Sequence, residues 1–199
     1  MNTVFLQADD EEDVRRAADL LRDGRVIGLP TETVYGLAAR ADDSEAVDRI
    51  YELKRRPREK KLSLLIPDPS AWQKHVGKLP PAAQALADEF WPGPLTLVVP
   101  GDSGDTIGLR CPDMEVTRRV LRMADVPVVA PSANLSGEPP AVTADEVMET
   151  FEGRIPAVVD GGRAPMEVSS TVVQVETDGT LTILREGGLS EEEVRSAAR

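Results

Sequence analysis

Along all 199 residues, short runs that read as strands alternate with longer stretches that read as helices, and no internal repeat or low-complexity segment breaks the alternation. That pattern favours a mixed α/β fold, and 199 residues fit a single domain, 1–199. Residues 4–6 read as a first strand. Asp9 with Glu12 three residues on reads as a capping pair, and Val14, Ala17, Ala18 and Leu21 as the stripe of the helix behind it. Gly24 stops that helix. Residues 26–29 form a strand closed by Pro30. Ser44 caps a second helix with Val47, Ile50 and Tyr51 on one face.

Farther on, 62–66, 95–99, 107–109, 126–130 and 157–160 read as strands. Helices are expected over 80–89 and 115–124, with a fixed turn at Trp91-Pro92-Gly93-Pro94. Thr143 with Glu146, and Ser190 with Glu193, read as capping boxes. Residues 172–175 and 181–184, joined by Asp178-Gly179, read as a hairpin.

Composition narrows the function classes. No run of 18 apolar residues exists, so no membrane span is expected. The N-terminus has neither a basic segment nor a long apolar one, so no secretory signal is read there. One cysteine, Cys111, excludes an internal disulfide and fits a reducing cytoplasm. His75 is the one histidine, which with the lone cysteine argues against zinc and against histidine-based catalysis. The net charge of -12 argues against broad nucleic-acid binding by the whole surface.

Against that acidic background, six of the eight residues from 54 to 61 are basic: Lys54, Arg55, Arg56, Arg58, Lys60 and Lys61. Such a run repels itself unless an anion sits there. The bland alternative is a solvated surface run. Two features favour an anion: the run lies between structured elements, and Pro57 stiffens it. Lys54 falls at i+7 from Val47, so it continues the inward face of its helix. Lysine and arginine together suit phosphate oxygens. An RNA backbone would satisfy the same charges.

There is no GxxxxGK[ST] and no GxGxxG after a strand, so a bound nucleotide would be held by side chains. Pro30-Thr31-Glu32-Thr33-Val34-Tyr35-Gly36-Leu37 follows a strand, where open α/β sheets place ligands. Its two hydroxyls and one carboxylate suit a small polar substrate, or simply cap a turn. Ser132-Ala133-Asn134 also follows a strand, and alternation puts Ser132 and Asn134 on one side. Arg110 ends an apolar strand, where a surface ion pair is the ordinary reading.

Five segments in one order, LPTETVYGL, LKRRPREKKL, WPGPLTLV, APSANLSG and SSTVV, resemble the YrdC/TsaC family of threonylcarbamoyladenylate synthases. The resemblance runs from about Val26 to Arg185. It implies a YrdC-like fold, an α/β single-domain open twisted mixed sheet flanked by helices, and a reaction of L-threonine, bicarbonate and ATP, with Mg2+ on the ATP, giving threonylcarbamoyl-AMP and pyrophosphate. A partner tRNA-modifying transferase complex would then carry the group to adenosine.

By motif position, Thr33 and Arg110 are implied as threonine contacts, Arg110 facing the carboxylate, with Ser132 and Ser170 beside them. Lys54, Arg56 and Lys60 match the motif that holds ATP phosphates, Lys54 and Arg56 as the catalytic charge donors. Thr106, Asn134 and Arg185 match nucleotide-side positions, and Val142 or Thr143 falls where a threonine often stands.

Two departures follow. Some members carry a histidine where this chain has Leu65. Longer members add a linker and second domain, which this chain is expected to lack. No metal ligand is implied in the protein. Competing readings are an RNA-binding module, an adenylating domain acting on carbamoyl phosphate, and a non-catalytic paralogue.

Overall fold

The computed structural model describes residues 2–101 and 104–198. The most buried strands lie near one end of the sheet. β2 (Ile27–Leu29) is buried throughout, and β3 (Gly36–Arg40) along all but its last residue. Both are covered on two faces, which is why they read as near-continuous apolar runs. They form an antiparallel pair within a mixed sheet that has ten strands among the described residues.

The other strands are β1 (Val4–Gln7), β4 (Ser63–Leu65), β5 (Leu95–Pro100), β6 (Thr106–Arg110), β7 (Val128–Val129), β8 (Ala157–Asp160), β9 (Thr171–Val175) and β10 (Leu181–Arg185). Their order across the sheet is β1-β8-β2-β3-β7-β4-β6-β5-β9-β10. β1–β8, β8–β2, β4–β6 and β5–β9 pair in parallel, and the remaining neighbours antiparallel.

Alternate residues of the first strands feed different cores. Ile27, Leu29, Ala38, Val128, Ala157 and Val159 pack with α1 (Glu11–Arg22) and α4 (Glu115–Ala124). Leu37, Ala39, Val129 and Val158 pack with α2 (Ser44–Lys54) and α5 (Ala144–Phe151). Side chains of a strand alternate between faces, so these helix pairs cover opposite faces. Over the second half, α3 (Pro81–Phe90) and α6 (Glu191–Ala197) cover one face through Leu86 and Val194 against Leu95, Leu97, Leu109 and Val173.

The mixed sheet flanked by helices is the expected class, and α4 spans the expected residues. The hairpin β9–β10 and the Ser190–Glu193 capping box also form as read. Several local details differ. The cap of α1 is Asp10, whose carboxylate accepts from the Glu12 and Asp13 amides, not Asp9. The cap of α2 is Asp43, not Ser44; Ser44 is already helical. Thr143 caps α5 by accepting from the Glu146 amide, but the Glu146 carboxylate returns to the Val142 amide, so the box is half formed.

β3 is a strand not among those expected: residues 30–37 read as a ligand segment or a turn, but from Gly36 the chain pairs with β2 and buries Leu37, Ala38 and Ala39. β7 is two residues long rather than five. A short 3-10 segment, Pro69–Lys74, was not anticipated. The turn after α3 contains a cis Trp91–Pro92 bond, and the Trp91 indole donates to the Leu95 carbonyl at 2.8 Å.

Candidate active site

The second half of the sheet has one helix-covered face and one open one. Ser63 and Leu65 of β4, Thr96 and Val98 of β5, Thr106, Gly108 and Arg110 of β6, and Val172 and Gln174 of β9 all line one cleft of about 410 Å³. Each set has a spacing of two, so these residues share a sheet face, while Leu97, Leu109 and Val173 between them enter the core. Leu184 and Arg185 of β10 close one side, where the register shifts between Ile183 and Arg185. The other walls are Val34, the segment after α2 (Arg56, Glu59, Lys61, Leu62), Pro131-Ser132 and Ser169-Ser170. No helical residue lines the cleft among those described.

Arg110 stands at the end of β6, 7% exposed. Its Nη2 donates to Glu32 Oε1 at 2.8 Å and Thr33 Oγ1 at 2.7 Å. The reading of Arg110 as a surface ion pair is therefore corrected to a buried one: Glu32 is 6% exposed. Glu32 Oε2 is buried with no hydrogen-bond partner among the described residues. The hydroxyls beyond form a relay. Thr31 gives its proton to the Val34 carbonyl, so in its 2.8 Å contact with Thr33 the donor is Thr33. Of the two roles weighed for the 30–37 segment, Thr31 fills the turn-capping one, while Thr33 and Glu32 hold Arg110.

Arg185 donates from Nε and Nη2 to the Ser170 carbonyl and from Nη2 to Ser170 Oγ at 3.1 Å. Ser170 Oγ also meets Thr96 Oγ1 at 2.9 Å. Arg56 donates to the carbonyls of Lys60 and Lys61 at 3.0 and 3.1 Å. Neither Arg56 nor Arg185 has a carboxylate partner among the described residues. Burial lowers the pKa of both, and the positive charges of Arg110 and Arg56 lower that of Arg185 further. Three guanidinium fields therefore overlap in one cleft with too little negative charge to cancel them, which favours an anion.

Six residues expected at the site line this cleft: Arg56, Thr106, Arg110, Ser132, Ser170 and Arg185. Thr33 lies one hydrogen bond behind Arg110. Lys54 and Asn134 lie one behind Ser132. Lys54 is 1% exposed, and its inward direction is the one its helix position predicts. Burial and the charge of Arg56 pull its pKa down to about 8. Lys60 and Thr143 do not line the cleft. Lys60 is exposed and contributes its carbonyl to Arg56; Thr143 caps α5. Thr96, Gln174, Ser169 and Leu184 line it without having been singled out. For Thr96 and Gln174 the signal is a polar residue among apolar ones on β5 and β9, which is also how an ordinary solvent-facing strand reads.

The open mixed sheet carries three arginines at one cleft, a charge distribution that suits an anion, and the comparisons narrow the class. The family model for Sua5, YciO and YrdC proteins, described as "Telomere recombination", matches residues 19–187. The chain belongs to that family. It is 39% identical over 194 residues to the threonylcarbamoyl-AMP synthase of Pyrococcus abyssi, covering 93% of this chain and 57% of the relative. It is 38% identical over 204 residues to that of Bacillus subtilis, covering 98% and 58%. The chain thus spans less than two thirds of both relatives. A crystal structure of P. abyssi Sua5 complexed with L-threonine superposes with a TM-score of 0.90 at 36% identity, covering 99% of this chain and 61% of that one.

Proposed function

We propose that the chain is an L-threonylcarbamoyladenylate synthase acting in the cytoplasm. The observation that carries the proposal is the open sheet face where Arg56, Arg110 and Arg185 converge with, among the described residues, Glu32 and Glu59 as the carboxylates beside them. The named relatives and the threonine-bound P. abyssi structure support the same reading. They do not favour an RNA-binding or non-catalytic role. No helix among the described residues is long and apolar enough to cross a membrane.

The chemistry needs two anions brought together. The threonine amine and bicarbonate give a carbamate with loss of water. A carbamate oxygen attacks the α-phosphorus of ATP, and pyrophosphate leaves with the electron pair of the broken P–O bond. Arg110 would hold the threonine carboxylate from the floor, its orientation fixed by Glu32 and Thr33. Arg56 and Arg185 would offset the charge that builds on the phosphates. Fixed cations in a dry cleft act this way without reorganising during the reaction.

The cleft offers arginines, hydroxyls and Glu59, a donor set suited to phosphate oxygens more than to a bare cation. Mg2+ would therefore be carried mainly by the triphosphate and water, adding charge neutralisation there. The product would pass to a threonylcarbamoyl transferase complex that modifies tRNA.

Steady-state kinetics of two variants test the assignment. Arg56→Ala should cut turnover by roughly 10²–10³. Arg110→Ala, combined with Glu32→Gln so that no lone charge stays buried, should raise the KM for threonine more than that for ATP. The reverse pattern for Arg110 would put it at the nucleotide.

A further inference from the structure

Three residues that the sequence offers as ligand contacts form one closed hydrogen-bond unit, and only one of them reaches the cleft. Lys54 is the last residue of α2. Its ammonium donates to the Ser132 carbonyl, to the Asn134 carbonyl at 2.8 Å and to Asn134 Oδ1 at 3.3 Å. Its own carbonyl accepts the Ser136 amide at 2.8 Å. An ammonium has three donors, and all three are used inside the protein.

Asn134 is as fully committed. Its Nδ2 donates to the carbonyls of Leu135 and Glu138 at 2.7 and 2.8 Å, and its Oδ1 accepts from Lys54 and from Ser132 Oγ, the latter at 2.6 Å. The two carbonyls facing Nδ2 fix which end of the amide is which. Oδ1 can only accept, so the Ser132 hydroxyl proton points at it. What Ser132 then presents to the cleft is lone pairs.

We propose that Lys54 and Asn134 are positioning residues that hold Ser132 as a hydrogen-bond acceptor at the cleft wall, and that neither touches the phosphates. This deepens the synthase reading and rests on it for the identity of the ligands. An acceptor at that wall suits an N–H or O–H group, such as the substrate's amine, a hydroxyl or a bound water. It repels a phosphate oxygen. The phosphate chain therefore lies toward Arg56 and Arg185, and the donor-bearing substrate toward Ser132. The arrangement also explains a lysine buried to 1% exposure with no carboxylate partner among the described residues: it substitutes main-chain oxygens for a counter-ion.

The test compares Lys54→Met, Lys54→Arg and Asn134→Ala with the unaltered chain. The readouts are the Kd for ATP by calorimetry, kcat and KM for threonine, and amide hydrogen exchange over residues 131–137. Lys54→Met and Asn134→Ala should leave the ATP Kd within about threefold, lower kcat by about tenfold or more, and speed exchange over 131–137. Lys54→Arg should not restore kcat, because a larger fork cannot reach the same three oxygens.

An ATP Kd that rises about tenfold in Lys54→Met and recovers in Lys54→Arg would overturn the proposal. So would unchanged exchange in Asn134→Ala. If Lys54→Met fails to fold, Asn134→Ala carries the same test, since it leaves the ammonium on two main-chain carbonyls. An unaltered chain that makes no threonine-dependent product would sink the synthase reading instead. Loop exchange and the Kd for inorganic pyrophosphate would still decide the positioning role.

Discussion

Arg110 is fixed in the cleft floor by Glu32 and Thr33, which hold it from behind. Removing one partner of a buried pair leaves an uncompensated charge, which costs roughly 3–5 kcal/mol. Arg110→Ala should therefore lose stability on that scale in urea unfolding, and adding Glu32→Gln should recover much of it. Additive losses would mean that the two side chains are not coupled. A second residue-level prediction concerns Cys111, which is fully buried. Burial pushes its pKa up to about 12, against 9 in a free thiol. The folded chain then keeps a proton that the unfolded chain gives up. The thiol's contribution to stability is present below pH 9 and is lost as pH rises toward 12. At pH 8 a thiol reagent should label Cys111 only after unfolding; rapid labelling of the native chain would contradict its burial.

Elements show where local chemistry is legible and where it is not. The α2 helix was readable from its stripe, but its cap was misplaced by one residue, because Asp43 and Ser44 are both good caps and only backbone geometry chooses. Asp43 accepts from the Glu45 and Ala46 amides at 3.0 and 3.2 Å. Asp43→Ala should cost roughly 0.5–2 kcal/mol, whereas Ser44→Ala should change stability by less than about 0.5 kcal/mol. Thermal unfolding of both variants separates the assignments, and equal losses would count against Asp43.

The inward aim of Lys54 followed from helical spacing alone. What it meets did not, because the 131–137 loop is joined to it only by tertiary contact. The cleft floor was hidden for a related reason. A Thr96 or Gln174 that faces a ligand has the same local pattern as one that faces water, and the difference lies in which face the helices leave open.

At the scale of the molecule, a net charge of -12 surrounds a cleft lined by three arginines. An acidic exterior disfavours long polyanions, while the cleft still admits a short one whose charge is met locally. The motif segments are far apart in sequence yet converge on one sheet face, which is why five of them in order carried the family assignment and none alone did. Between them, Thr106 and Arg110 of β6 also line the cleft, whereas Ala38 and Ala39 of β3 supply scaffold.

The most direct test of the whole account is pyrophosphate release from ATP and Mg2+ by the purified chain, with and without L-threonine and bicarbonate, followed by mass analysis of the products. Release should need both additions and come with the mass of threonylcarbamoyl-AMP. Release that needs neither, or no release from a chain that binds ATP, would contradict the synthase reading.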